Sequence, residues 1–187
     1  SRPLHIELAE WAELAIVAPL SASSMARWSN GSADGLLASV LLAMEAPVIA
    51  APAMNTAMWR HPAVQRNWQQ VQSFPGVIPL VPASGLLACD RGGDGRMADP
   101  LLIELAAASV FSRGSGTPGV TLDWSGMSVL VSAGPTQESI DPARVLSNRS
   151  SGRMGVLLAQ AARFRGATVH LVHGPLDLPD ALSLIHI

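Results

Sequence analysis

The chain has 187 residues, 49% of them apolar and 14% charged, with a formal net charge of −2. That length suits one domain or parts of two, and the charge offers no electrostatic attraction to nucleic acid or an anionic membrane. Tyr is absent and Phe and Trp are few, so no stacking platform for single strands is visible, and the single Cys cannot make an internal disulfide. With no signal peptide in view, this sets the expectation of a reducing, cytoplasmic setting.

His5, Leu8, Trp11 and Ala12 recur at helical spacing from the very start, which sets the expectation of a chain truncated at its N-terminus. Leu14–Ala18 is a short apolar strand ending at Pro19. Ser21–Asn30 is a serine-capped helix stopped by Gly31. Ala33–Met44 is a strongly apolar helix and Pro47–Ala51 a strand. Asp34, Glu45, Pro47 and Pro52 break or bound this apolar stretch, so it reads as buried helix then buried strand, not as a membrane span. His61-Pro62 opens a helix to about Phe74, and Val77–Val81 is again a strand. Ser84–Asp99 is rich in Gly and charge without periodicity and reads as a loop. Pro100 starts a helix at a position where proline is welcome.

Short buried strands alternating with helices predict a parallel α/β sheet. Arg113–Gly119 is a linker by composition. Beyond it, Ser128–Ser132 is a strand, followed by a long loop, a helix over Ser151–Arg165 and a strand over Ala167–Val172. That is one βαβ unit. The expected division is 1–112, a linker over 113–126, a second domain over 127–180 and a tail over 181–187.

Pro52-Ala53-Met54-Asn55-Thr56-Ala57-Met58-Trp59 places an amide side chain in an apolar run. Such a group must be hydrogen-bonded or left at a cost of roughly 1–3 kcal/mol. Asn55 follows a strand, where α/β sheets bind ligands. Capping of the next helix explains the same residue, and spacing alone weighs the two equally. Cys89 lies beside Asp90, Arg91 and Arg96; arginines favour a thiolate, and a glycine-rich charged loop is a poor place for buried filler. His5 heads an amphipathic helix, where most histidines are ordinary surface or core residues.

Ser21-Ala22-Ser23-Ser24 follows a strand and opens a helix, so it suits either an anion or plain N-capping. Gly134-Pro135-Thr136-Gln137-Glu138 follows another strand. Asn148-Arg149-Ser150-Ser151-Gly152-Arg153-Met154-Gly155 then opens a helix with small residues, hydroxyls and cations suited to phosphate oxygens. The Walker pattern and GxGxxG are both absent. His170 and His173 fall on opposite faces of a strand, so a metal pair is not expected.

Together these motifs resemble the bifunctional flavoprotein family of coenzyme A biosynthesis, which joins phosphopantothenoylcysteine decarboxylase to phosphopantothenate–cysteine ligase. The decarboxylase resemblance covers about Leu4–Ser109. It rests on His5-Ile6-Glu7-Leu8, Ala18-Pro19 with the serines, Gly31–Leu37, Pro52–Trp59, and Ala88-Cys89 to Gly95-Arg96-Met97. The ligase resemblance covers about Met127–Pro175. It rests on Ser132–Glu138, Ile140–Arg144 and Ser147–Gly155.

The resemblance implies a flavodoxin-like, three-layer parallel sheet followed by the start of a Rossmann-like domain. It implies His5 as an active-site base, Asn55 (with Ala57) as the grip on the substrate carboxylate, and Cys89 as a proton donor on a flap. Ser21, Ala22, Ser23 and Ser24 would contact FMN. In the ligase family CTP, with Mg2+, activates 4'-phosphopantothenate as an acyl-cytidylate. Asn148 would lie at that intermediate, Arg144 would meet a carboxylate or phosphate, and Gly134, Ser150, Ser151 and Gly152 would hold nucleotide phosphates. The resemblance further implies a trimer-based homo-oligomer. No metal ligands are assigned.

Several residues depart from the family. The strand and glycine/serine loop that usually precede the flavin site are not seen before Ser1. Asp90-Arg91 follows Cys89 where Gly-Asp is usual, Gly35 replaces Asp or Asn, and the tail 181–187 does not continue the pattern. No Lys occurs, so the ligase lysines are absent and the expectation is a ligase half without activity; with the flavin site incomplete as well, the chain by itself is expected to be inactive. Two competing readings are a non-catalytic flavin-binding or regulatory relative, and a decarboxylase of peptide C-terminal cysteines. Cys89 argues against the first and the attached ligase segment against the second.

Overall fold

The computed structural model describes residues 2–86, 92–111 and 123–176. It falls into two units, Ser1–Thr121 and Leu122–Ile187.

In the first unit the order is α1 (Leu4–Trp11), β1 (Ala15–Leu20), α2 (Ala22–Ser29), α3 (Leu36–Ala43), β2 (Val48–Pro52), α4 (Thr56–Trp59), α5 (Pro62–Gln72), β3 (Val77–Pro79), β4 (Ala83–Leu86), β5 (Gly92–Arg96) and α6 (Pro100–Phe111). Strands β1, β2 and β3 form a parallel sheet in that order. Every residue of the central β2 is buried, the mark of a parallel strand covered on both faces. Val17, Leu20, Met25, Trp28, Leu41, Val48, Ala50, Trp68 and Val71 form the core, each large side chain contributing roughly 1.5–3 kcal/mol on burial.

Two expectations need correction here. Strand β1 does not stop at Pro19 but runs on to Leu20, with a cis Ala18–Pro19 bond and a register shift against β2 between Val17 and Leu20. Proline brings no ladder donor, so the pairing breaks at Pro19 while the strand continues. The stretch Ser84–Asp99 is not simply a loop: β4 and β5 pair as an antiparallel hairpin. Gly92-Gly93-Asp94-Gly95 has no strand propensity, and docking onto the rest of the unit supplies what propensity lacks.

The second unit holds β6 (Ser128–Ala133), β7 (Gln137–Asp141), β8 (Arg144–Ser147), α7 (Arg153–Phe164) and β9 (Thr168–His173). Strands β6 and β9 pair in parallel from Ser128↔Thr168 to Ala133↔His173. The inward residues Val129, Val131, Val169 and Leu171 meet Ala159 and Ala162 of the crossing helix. The long loop expected after β6 contains a second antiparallel hairpin, β7–β8. Its turn is set by Asp141, whose Oδ1 accepts from Ala143 N (2.9 Å) and Arg144 N (2.8 Å), an aspartate turn that leaves little strand signal in sequence. Among the described residues no helix is long and apolar enough to cross a membrane.

Candidate active site

In a parallel sheet the crevice lies at the carboxyl ends of the strands, and two of the motifs fall there. Strand β1 delivers the serine cluster. Ser21 caps α2, its Oγ accepting from Ser24 N at 3.1 Å and its hydroxyl donating to Ser24 Oγ at 3.1 Å. Strand β2 delivers Asn55, and Ala53 N donates to Leu20 O at 3.2 Å, tying the two exits together. Beside Ser24 a cleft of roughly 200 Å³ is lined by Arg27, Asp34, Gly35, Leu36 and Leu41. Into it face hydroxyl and N–H donors, from Ser24 and the start of α3, and the Arg27–Asp34 ion pair (3.7 Å).

Asn55 is exposed and is the N-cap of the one-turn helix α4, Oδ1 accepting from Ala57 N at 2.8 Å. The capping alternative is therefore realised, and it fixes the amide with its oxygen toward the helix. A cap uses the oxygen alone, while a carboxylate is gripped by N–H donors, so the two roles are compatible. At the other end of α4, Gln65 Nε2 donates to Trp59 O at 2.5 Å, and the Trp59 and Trp68 rings meet edge-on at 5.9 Å.

Strand β5 docks on this segment. Met54 N donates to Gly95 O at 2.9 Å. Gly95 has φ +124°, and a side chain there would collide with the Met54 carbonyl; one on Gly93 would collide with the Thr56 hydroxyl. Thr56 Oγ1 is buried in this contact without a hydrogen-bond partner among the described residues. Arg60 Nη2 pairs with Asp94 Oδ2 at 2.6 Å. Gly93, Asp94, Gly95 and Arg60 are functional candidates that the sequence reading missed. The closely spaced glycines were the available signal, as positions where another backbone approaches.

His5 is half-buried near the start of α1. Helix α1 leads through residues 12–14 into β1 and packs against α3. Cys89 lies outside the described residues, between β4 and β5 in sequence.

In the second unit Gly134, Gly152 and the end of β9 converge. Gly152 takes φ +78° as the N-cap of α7, and a Cβ there would lie 3.0 Å from Gly134 N. A Cβ on Gly155 would lie 2.6 Å from Ala133 Cβ and 2.7 Å from Ser132 O. The three glycines thus do in space what a contiguous GxGxxG does in sequence: a tight turn, a close backbone approach and close helix–strand packing. Hairpin β7–β8 is inserted between the first and second. Asn148 Oδ1 accepts from Ser150 N (2.9 Å), Ser150 Oγ from Gly152 N (3.3 Å) and Ser151 Oγ from Arg153 N (3.4 Å). Arg144 is paired with Asp141 at 2.6 Å in the hairpin turn. His170 and His173 are exposed, and among the described residues no group of three or more His, Cys, Asp or Glu could hold a metal.

A parallel α/β sheet with a glycine- and serine-lined crevice and a hairpin over it is the architecture of a flavodoxin-like flavoprotein domain. The chain belongs to the Flavoprotein family, whose model matches residues 1–105; the model of the DNA/pantothenate metabolism flavoprotein C-terminal domain matches residues 124–187. It is 43% identical over 174 residues to the coenzyme A biosynthesis bifunctional protein CoaBC of Haemophilus influenzae, covering 93% of this chain and 42% of that protein. To CoaBC of Escherichia coli it is 44% identical, over 94% of this chain and 41% of that one. The chain thus spans about two fifths of these relatives. Among solved structures it is similar to a cysteine-to-serine mutant of PPC decarboxylase complexed with pantothenoylaminoethenethiol (TM-score 0.56, 34% identity, 61% of this chain and 63% of that one). It is also similar to the FMN binding protein AtHal3 (TM-score 0.53, 35% identity, 62% and 63%).

Proposed function

We propose that the first unit is the decarboxylase part of a bifunctional enzyme of coenzyme A biosynthesis, converting 4'-phosphopantothenoylcysteine to 4'-phosphopantetheine with FMN. The observation that carries this reading is Asn55, capped and held at the carboxyl end of the central strand, beneath the hairpin whose strands flank Cys89 in sequence. A plain cysteine carboxylate cannot stabilise the carbanion left by departing carbon dioxide. Bound FMN supplies the remedy by taking and returning a hydride at the thiol-bearing carbon.

The chain's own residues do the rest. The Asn55 amide and the α4 N-terminal backbone orient the substrate carboxylate. Ser21, Ala22, Ser23 and Ser24 hold the cofactor, His5 serves as base and Cys89 as proton donor. The docked hairpin keeps water from the reacting carbon. Exposed Leu4, Trp11, Leu36 and Leu37 suit association into a trimer-based homo-oligomer, in the cytoplasm.

The second unit is the beginning of the ligase. Its Gly134, Ser150, Ser151 and Gly152 suit nucleotide phosphates, with CTP bringing Mg2+, and Asn148 suits the acyl-nucleotide. Arg144 would have to exchange Asp141 for a substrate anion.

The test is to purify the full-length bifunctional protein that carries this chain, load it with FMN, record its flavin absorbance and supply 4'-phosphopantothenoylcysteine. A yellow protein that releases carbon dioxide supports the reading. A yellow protein without turnover would move the chain to the non-catalytic relatives, and a colourless, inactive one would end the reading.

A further inference from the structure

Among the described residues, the contacts of hairpin β4–β5 with the Asn55 segment include a backbone hydrogen bond (Met54 N to Gly95 O, 2.9 Å), close approaches at two glycines and an ion pair (Arg60–Asp94, 2.6 Å). The glycine contacts set how closely the strand approaches, but they are steric and do not oppose its withdrawal. The ion pair adds a side-chain charge attraction to the backbone hydrogen bond. It joins the residue that ends α4 to the middle of β5, so Asn55 and the hairpin lie at opposite ends of one short lever. Arg60 is largely exposed and Asp94 partly so (67% and 40%), and a pair this open to solvent adds little to global stability. Its leverage is local: it acts on a hairpin of glycine-rich strands with little stability of its own.

We infer that Arg60 and Asp94 are positioning residues of the decarboxylation site, their ion pair holding β5 in register over the Asn55 helix. This rests on the decarboxylase reading above, but the contact can be tested without turnover.

Arg60→Gln, Asp94→Asn and the charge-swapped double variant Arg60→Asp/Asp94→Arg are compared with the unsubstituted protein, all loaded with FMN. Amide exchange is read at Met54 and across residues 92–96, with thermal unfolding as a control. Each single variant is expected to exchange about two- to fivefold faster at these amides, the range an exposed pair's worth allows, with Tm unchanged. The swapped pair restores the slow rate, and high salt brings the unsubstituted protein toward the single variants. In turnover, kcat falls in the single variants while KM holds, and the swap recovers kcat. Exchange and kcat equal to the unsubstituted protein in both single variants would overturn the inference. So would a swap that recovers neither. If the unsubstituted protein itself turns nothing over while the exchange pattern appears, the decarboxylase reading fails and the contact stands.

Discussion

The Met54 N–H donates to the Gly95 carbonyl at 2.9 Å while the Met54 carbonyl lies where a Gly95 side chain would be. The hydrogen bond and the vacancy belong together: β5 comes this close only because residue 95 has no Cβ and takes φ +124°. Gly95→Ala brings both a steric conflict with backbone and a conformation worth about 1–3 kcal/mol of strain. The hairpin, not the core, is expected to absorb it. Turnover should drop by about tenfold or more, since small misplacements at a reacting site are costly, while the far-UV spectrum stays unchanged. Full turnover in Gly95→Ala would show that the docking is not needed for catalysis.

Asn55 carries a cap and, as proposed, a grip, and two substitutions separate them. Asn55→Ala removes both and should cost about 1 kcal/mol of stability as a lost N-cap. Asn55→Asp keeps a good capping oxygen but replaces N–H donors with a negative charge facing a carboxylate. It should unfold at nearly the parental temperature yet lose about a hundredfold or more in kcat/KM, the scale of removing a pre-organised donor. An active Asn55→Asp enzyme would leave Asn55 as a cap alone.

The parallel core was legible because it is written in composition: the runs behind β1, β2 and β3 are apolar, and the central β2 is buried along its whole length, as a strand covered on both faces must be. Capping was legible as one of two readings at Ser21 and Asn55, because a short polar side chain before a helix suits an N-cap and a ligand alike. Both hairpins were not. Strand β5 is built of glycine, aspartate and arginine, and its existence depends on a surface distant in the chain, the Met54–Arg60 segment. Strands β7 and β8 are exposed along nearly their whole length, so no buried alternation marks them. The nucleotide-type glycine arrangement was hidden for a related reason: the β7–β8 insertion separates Gly134 from Gly152, and only folding brings them together.

Gly155 offers a test in which two principles predict opposite signs. In a free helix Gly→Ala is stabilising by up to about 1 kcal/mol. Here the new methyl would lie 2.6 Å from Ala133 Cβ and 2.7 Å from Ser132 O, so α7 must move off β6. Overpacking of this kind costs about 1–3 kcal/mol, and for a small unit each kcal/mol lowers Tm by roughly 4–8 °C. Gly155→Ala should therefore lower the unfolding temperature of the second unit. A rise would mean that helix and strand are packed more loosely than the geometry describes.

The Asp141 turn gives a pH prediction whose sign is fixed. The Arg144 guanidinium, with the backbone N–H groups of Ala143 and Arg144, holds the Asp141 carboxyl below its ordinary range. A carboxylate depressed in the folded state stabilises the turn above its unfolded pKa of about 3.9, and that contribution is lost as pH falls through the lower folded value. The turn should be intact at neutral pH and loosen only in acid. Because Asp141 and Arg144 sit at the surface, the effect is confined to the hairpin. NMR titration should give the Ala143 and Arg144 amides a midpoint below the ordinary aspartate range. In Asp141→Asn that acid transition should vanish. An ordinary or raised midpoint in the parental protein would mean that Arg144 does not engage Asp141 in solution, and would leave its guanidinium available for a substrate anion.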